Sequence, residues 1–357
     1  MFAATLRKNF LQFWVEIMRR LSRCKSSVFI PPLVASKKLK VLVGPGFMDF
    51  KHVFNPGFAQ YDGEGIVLAR AENDNDYIQS TSSFYTSSHY LLMRLDETFE
   101  IKDCSAIPKA GLDFMDGKRN FRFDDPRIFI FRNRLYLNHI VAFFHTDRID
   151  WNALECFPII SELDIKNGQV IPIGKPKLDF SPKQTEKNWV FFEHLGELYL
   201  LYSFAPYILL KLTSWTSLEF TTVVKRDVNL NLPGENVGGL KALLSTNPVT
   251  WDADHFLVLI HKFFTCSWSG RRYLTWAVLI QKESLLPVKI TSRPVFNSFS
   301  ARGECPGVIY PTSCALIDDD LVVFVGEGDS YCSYAKINKK ILTDNFVKMD
   351  IGGGYFN

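Results

Sequence analysis

The chain has 357 residues, 47% hydrophobic and 22% charged, with a formal net charge of +3. That is ample material for a large core, and the near-neutral balance excludes the global basic field of a nucleic-acid binder in favour of a small or neutral ligand. Seven cysteines, odd in number and without a CxxC pair, argue against a complete disulfide framework or a zinc cluster and point to a reducing, cytoplasmic setting with no metal or cofactor.

No uncharged apolar run approaches the roughly 18 residues that span a bilayer. The N-terminus also lacks a small-residue cleavage site after a clean apolar core. Its segment "TLRKNFLQFWVEIMRRLSRCK" predicts a basic amphipathic helix within residues 1–36. Leu6, Phe10, Phe13, Trp14, Ile17 and Leu21 share one face, whereas Lys8, Gln12, Arg19, Arg20 and Arg23 fall largely elsewhere. Such a helix docks on the protein body, joins a second copy, lies in a membrane interface or serves as a targeting peptide.

From residue 37 to 357 the pattern becomes all-β, with short Phe-, Val-, Leu- and Tyr-rich runs between Gly, Pro, Asn and Asp. Five segments align as hairpins, beginning at residues 55, 125, 187, 244 and 310, with turns near 62, 132, 195, 252 and 318. In "RFDDPRIFIFRNRLYLNH", for example, two β-rich runs flank the polar break Arg132-Asn133-Arg134. Successive turns lie 57 to 70 residues apart, room for four strands per unit. One domain, a five-bladed β-propeller, is the expected architecture.

The polar residues keep a common register with the turns. Asn55, Asp125, Lys187 and Tyr310 lie seven or eight residues upstream, with Ser245 at a similar offset, and Arg70, His139, Tyr202, His261 and Gly326 lie seven to nine downstream. In antiparallel hairpins both sets meet at the open end. Arranged around one axis, they would share a single mouth, where concave ligand sites form.

Four stretches carry a family resemblance: "FNPGF" with "LARAE", "FDDPRIF", "KNWVFFEHLGELYLLYSF" and "VIYPTSCALIDDDLVVFVGEGD". Over residues 40 to 340 the chain resembles glycoside hydrolase family 130 and the related protozoan β-1,2-mannosyltransferase/phosphorylase family. The resemblance implies a five-bladed propeller acting on β-mannosides with inversion at the anomeric carbon. It implies that Asp125 is the general acid, with Asp124 where relatives carry Glu, and that Arg70, Lys187 and His261 hold phosphate or a donor phosphate. Two departures stand out: residues 165 to 186 contain no arginine, and Val237 stands where many relatives have Arg.

Inverting transfer needs an acid on one side of the sugar and a nucleophile or leaving phosphate held by cations on the other. Further candidates for substrate contact are Asn55, Asp124, Arg127, Asn188, Trp189, Glu235, Tyr310 and Asp329. Arg127 reads equally as an orienter of Asp125 or a salt bridge between blades, and Trp189 as a sugar platform or core. The partners expected are a mannose-containing oligosaccharide or glycan acceptor and a donor, either phosphate, mannose 1-phosphate or GDP-mannose. An inverting hydrolase using a second carboxylate such as Glu235, or a carbohydrate-binding propeller without catalysis, are the competing readings.

Overall fold

The computed structural model describes residues 31–35, 38–73, 89–107, 121–143, 155–228, 230, 232, 242–266, 270–298 and 301–349. The expected N-terminal helix, Glu235 and Val237 lie outside these residues.

Two-residue turns set the hairpins. Tyr61 pairs with Glu64, Phe131 with Arg134 and His194 with Glu197. The residues between them have positive φ, namely Asp62 and Gly63, Arg132 and Asn133, Leu195 and Gly196. This conformation matches the twist of the flanking strands, which is why it recurs in tight hairpins. A fourth pair, Ile317 with Asp320, closes around Asp318, again at positive φ. The hairpin near 252 is wider, with the Trp251 N–H donating to the His255 carbonyl.

The described strands form five mainly antiparallel sheets in an all-β propeller arrangement. The first runs through His52–Tyr61, Glu64–Glu72, His89–Leu95 and Ile101–Ile107. The second comprises Phe121–Phe131, Arg134–Phe143, Glu155–Asp164 and Gln169–Gly174. The third holds Val190–His194, Glu197–Phe204, Tyr207–Ser214 and Glu219–Arg226, with Lys177–Leu178 added in parallel at its edge. The fourth is built on the long pair His255–Cys266 and Gly270–Gln281, and the fifth on Ile309–Ile317, Asp320–Glu327 and Tyr331–Asn338.

Both ends of the described chain are sewn into earlier or later sheets. Lys40–Val43 pairs with Tyr331–Asn338 as the outer strand of the fifth sheet. After the short helix Lys339–Thr343, Phe346–Lys348 pairs with Pro287–Thr291 of the fourth.

Strand alternation explains why the runs are apolar on both faces. In Glu64–Glu72, Ile66 and Leu68 pack against the second sheet, alongside Leu135 and Leu137. Val67, Ala69 and Ala71 pack on the other side with Val322 and Phe324 of the fifth. The same division places Leu198 and Leu200 against Phe129 and Phe131, while Leu201 joins Val258 and Ile260. Leu257 and Leu259 meet Val323 and Val325. Each sheet is therefore sandwiched between two neighbours, a situation in which strands read as continuous rather than alternating apolar runs. Phenylalanines stitch these interfaces: ring centroids are 4.3 Å apart for Phe58 and Phe324, 5.1 Å for Phe129 and Phe191, and 5.2 Å for Phe192 and Phe256. Such pairs add to area burial.

At the axis the innermost strands approach one another closely. A Cβ on Gly57 would lie 2.6 Å from the Pro126 carbonyl oxygen, so only glycine fits between the first and second sheets. The Pro56 carbonyl accepts from the Thr312 hydroxyl at 2.6 Å and the Ser313 hydroxyl at 2.9 Å, joining first to fifth. Asn247 bridges three sheets, donating to the Ile128 carbonyl and accepting from the Phe191 N–H.

Candidate active site

A repeated backbone irregularity creates the site. Register shifts fall between Phe54 and Gly57 and between Asp124 and Arg127, so Asn55-Pro56 and Asp125-Pro126 are bulged out of their ladders. Asn55 and Asp125 have φ of 52° and 47°, and Asn188 in the third hairpin has 64°. Asn and Asp tolerate this left-handed region, proline removes a ladder donor, and a bulge re-aims the side chain beside it. Three polar side chains are thereby turned into a cavity of about 650 Å³ lined from all five sheets.

Asp125 and Asn55 meet directly, with the Asn55 amide donating to the Asp125 carboxylate at 2.7 Å. A Cβ on residue 326 would fall 1.9 Å from the Asn55 amide oxygen, so Gly326 leaves the room that this contact requires. Asp124 is nearly inaccessible and binds two cations, Arg70 at 2.9 Å and Lys187 at 3.7 Å. Arg70 also binds Glu72 and lies 4.9 Å above the Phe54 ring. One carboxylate is thus tied to cations while its neighbour is held by a neutral amide.

His261 enters from the fourth sheet. The Ser245 hydroxyl lies 2.7 Å from its Nδ1, and burial together with the Arg127 charge pushes its pKa down to about 3. It is therefore a neutral hydrogen-bonding group near neutral pH. The Asp329 carboxyl contacts the Cys305 thiol, and burial raises its pKa.

The structure brings Asn55, Arg70, Asp124, Asp125, Lys187, Asn188, His261, Tyr310 and Asp329 to the cavity wall. Arg127 and Trp189 do not line it. Trp189 is fully enclosed in the core between the second and third sheets and donates from its indole to Glu186 at 3.2 Å, so its face is unavailable to a sugar. Arg127 makes no ion pair with Asp125; its partners are neutral groups, the Ser245 carbonyl and, from the cavity wall, the Asn188 amide oxygen and the Tyr310 hydroxyl. His139, although in register, is buried within the second sheet between the Tyr90 and Ser161 hydroxyls.

Sequence reasoning missed Lys183, Glu186, Arg271 and Tyr273 as wall residues. Tyr273 and Arg271 were accessible to it, because Phe263 pairs with Tyr273 and Thr265 with Arg271, placing both on the face that carries His261. Lys183 and Glu186 sit outside the named strands, in a stretch with no periodicity to betray them. The Glu186 carboxylate accepts from the Lys183 N–H at 2.7 Å and from the Tyr202 hydroxyl. The segment 165–186 has no arginine, yet Lys183 from that segment and Arg271 from the fourth sheet both bring positive charge to the wall.

The buried histidines carry a pH signature. His139 and His261 both have pKa values lowered to about 3 from 6.5, chiefly by burial, so each binds a proton in the unfolded chain before it does in the folded one. Their contribution to stability is complete above about pH 6.5 and declines as pH falls toward about 3. Each contributes a slope approaching about 1.4 kcal/mol per pH unit within that window. Urea midpoints measured from pH 7.5 to 4.5 should fall on the acid side, and a flat profile would show that these rings are already protonated or exposed when folded.

Comparison with family models finds no match, and comparison with curated protein sequences finds none either. Solved structures do match. A GH130 structure, from a family of mannoside phosphorylases described as containing glycoside hydrolases that target β-1,2-mannosidic linkages in Candida mannan, is similar with a TM-score of 0.60 and 13% identity. The match covers 88% of this chain and 92% of that one. β-1,2-Mannobiose phosphorylase from Listeria innocua gives a TM-score of 0.54 at 13% identity over 90% and 97% of the two chains. MPT-1, a GDP-Man-dependent mannosyltransferase from Leishmania mexicana, gives 0.52 at 10% identity over 80% and 85%.

The chain has the fold of the mannoside phosphorylases.

At these identities the likeness is one of architecture, and it extends over most of each chain.

Proposed function

We propose that the protein is an inverting mannosyl-transferring enzyme. It makes or phosphorolyses β-mannosides, with mannose 1-phosphate or GDP-mannose as donor and a mannose-containing oligosaccharide or glycan as acceptor. In this reading the five sheets are the five blades of one propeller, whose mouth is the cavity. The observation that carries it is the convergence, in this fold, of the Asn55-bound Asp125 carboxylate with Arg70, Lys187, Lys183, Arg271 and neutral His261 around one cavity.

For synthesis, an acceptor hydroxyl attacks the anomeric carbon while the donor phosphate departs with the bonding electrons. Asp125 receives the hydroxyl proton, directly or through a sugar hydroxyl. In phosphorolysis the order reverses: phosphate attacks the anomeric carbon and Asp125 returns the proton to the leaving sugar oxygen. Asn55 steadies the carboxylate by donating to it. Arg70 and Lys187 supply positive charge next to Asp124, and Lys183 and Arg271 extend that charge along the wall; a departing phosphate is stabilised by such fixed donors.

Glu186 gives a hydrolytic reading its own support, since it is a largely buried carboxylate on the same wall. Incubation with mannose 1-phosphate or GDP-mannose and a β-mannoside acceptor separates the two. Chain extension is expected. Phosphate-independent release of mannose without extension would favour the hydrolase.

A further inference from the structure

Arg127 is wholly buried, yet no carboxylate lies within ion-pair distance of it among the described residues. Its Nε donates to the Ser245 carbonyl at 2.8 Å. One terminal nitrogen donates to the Asn188 amide oxygen at 3.1 Å and to the Tyr310 hydroxyl, and the other terminal nitrogen has no hydrogen-bond partner among the described residues. Burying a cation without a counter-charge costs stability. A cation kept under those terms needs a reason in the site above it.

The hydrogen-bond directions supply that reason. A guanidinium can only donate, so the Asn188 atom facing it is the oxygen, whatever the amide's appearance. The Tyr310 oxygen accepts from Arg127, which leaves its own proton for the Asn188 oxygen, 2.6 Å away. Both donors therefore converge on Oδ1. The Asn188 Nδ2, which has no protein partner among the described residues, is the group left for the cavity that Asn188 lines.

We infer that Arg127 is a positioning residue that locks the Asn188 amide, through Tyr310 and by direct contact, so that its N–H groups face the ligand. The cavity consequently offers a donor at that point and selects an oxygen acceptor of high charge density, a phosphate or phosphate-ester oxygen, over a sugar hydroxyl. This deepens the mannosyl-transfer reading and rests on it. It also reassigns Arg127 from Asp125, which it does not touch, to the third and fifth sheets, from which Asn188 and Tyr310 come.

The test uses the full chain with Arg127→Met, whose apolar side chain removes the buried charge and both locking bonds. Calorimetric titration with inorganic phosphate, mannose 1-phosphate and an uncharged β-mannobiose is the measurement. The two phosphate-bearing probes should bind at least about tenfold more weakly, the mannobiose within about twofold of wild type, and the melting temperature should stay level or rise. Asn188→Ala should produce the same selective loss, and combining it with Arg127→Met should add little, because both remove one device. Should Arg127→Met not fold, Arg127→Lys takes its place: it keeps the charge but not the forked geometry and should show a smaller loss of the same kind.

Equal weakening of all three probes, or unchanged phosphate binding in a folded Arg127 variant, would overturn the lock while leaving mannosyl transfer standing. A wild-type protein that bound mannobiose but neither phosphate probe nor GDP-mannose would overturn both readings.

Discussion

Asp125→Asn should retain the fold and lose about 10²- to 10⁴-fold in sugar transfer, the range spanned by removal of a general acid–base group. The substitution is nearly isosteric, and the Asn55 amide can still donate to the remaining oxygen of residue 125, so the bulge and its left-handed backbone have no reason to change. What disappears is the exchangeable carboxyl proton. The deficit should accordingly depend on the leaving group: in phosphorolysis an aryl β-mannoside with an acidic phenol needs little protonation and should react with a much smaller loss than a mannobiose. Steady-state rates on both substrates, with thermal melts to confirm folding, make the check. Wild-type turnover of the mannobiose would remove Asp125 from the mechanism and make Asp124 the next candidate.

The second large effect concerns charge rather than proton transfer. Lys187→Ala should raise the Kd for mannose 1-phosphate about 10- to 100-fold, the loss expected for one hydrogen bond to a charged group, and leave an uncharged β-mannoside within about threefold. The folded protein should tolerate the change, because Lys187 is partly exposed and Asp124 keeps its shorter contact with Arg70. Parallel titrations of the two ligands decide it. Equal losses would mean that Lys187 serves the wall as a whole and that the anion sits elsewhere, and the hydrolytic reading with Glu186 would then gain.

Much of this architecture is written in short-range chemistry. Asp62-Gly63, Arg132-Asn133 and Leu195-Gly196 sit between β-favouring runs, so local turn preference and strand pattern agree and the turns could be located from sequence. Asp125 and Asn55 were legible for the same reason, being fixed distances from those turns.

Arg127 and Trp189 were harder, because position along a strand gives the end of the sheet but not the depth. Trp189 follows Asn188 by one residue, yet Asn188, at positive φ just before the strand Val190–His194, lines the cavity while Trp189 enters the core. A correctly placed register thus coexisted with the wrong face. Arg127 has charge that sequence reasoning reads as exposure or pairing, and only the three-dimensional surroundings reveal neutral partners. Glu186 and Lys183 depend on a stretch outside the strands, for which neither periodicity nor turn grammar exists.

The strand Lys40–Val43 has a consequence for how the protein comes into being. It completes a sheet whose other strands begin at Ile309, so during synthesis one of the first described segments must wait for its strand partner Tyr331–Asn338, one of the last. Such a contact brings together residues far apart in sequence and bears a large loop-closure penalty, which slows its formation. Because Asn55 and Asp125 belong to early sheets but Tyr310 and Asp329 to the final one, a partly synthesised chain holds pieces of the pocket without the pocket. The pocket is therefore complete only once the final sheet is in place, and on refolding from denaturant ligand binding should return later than strand content.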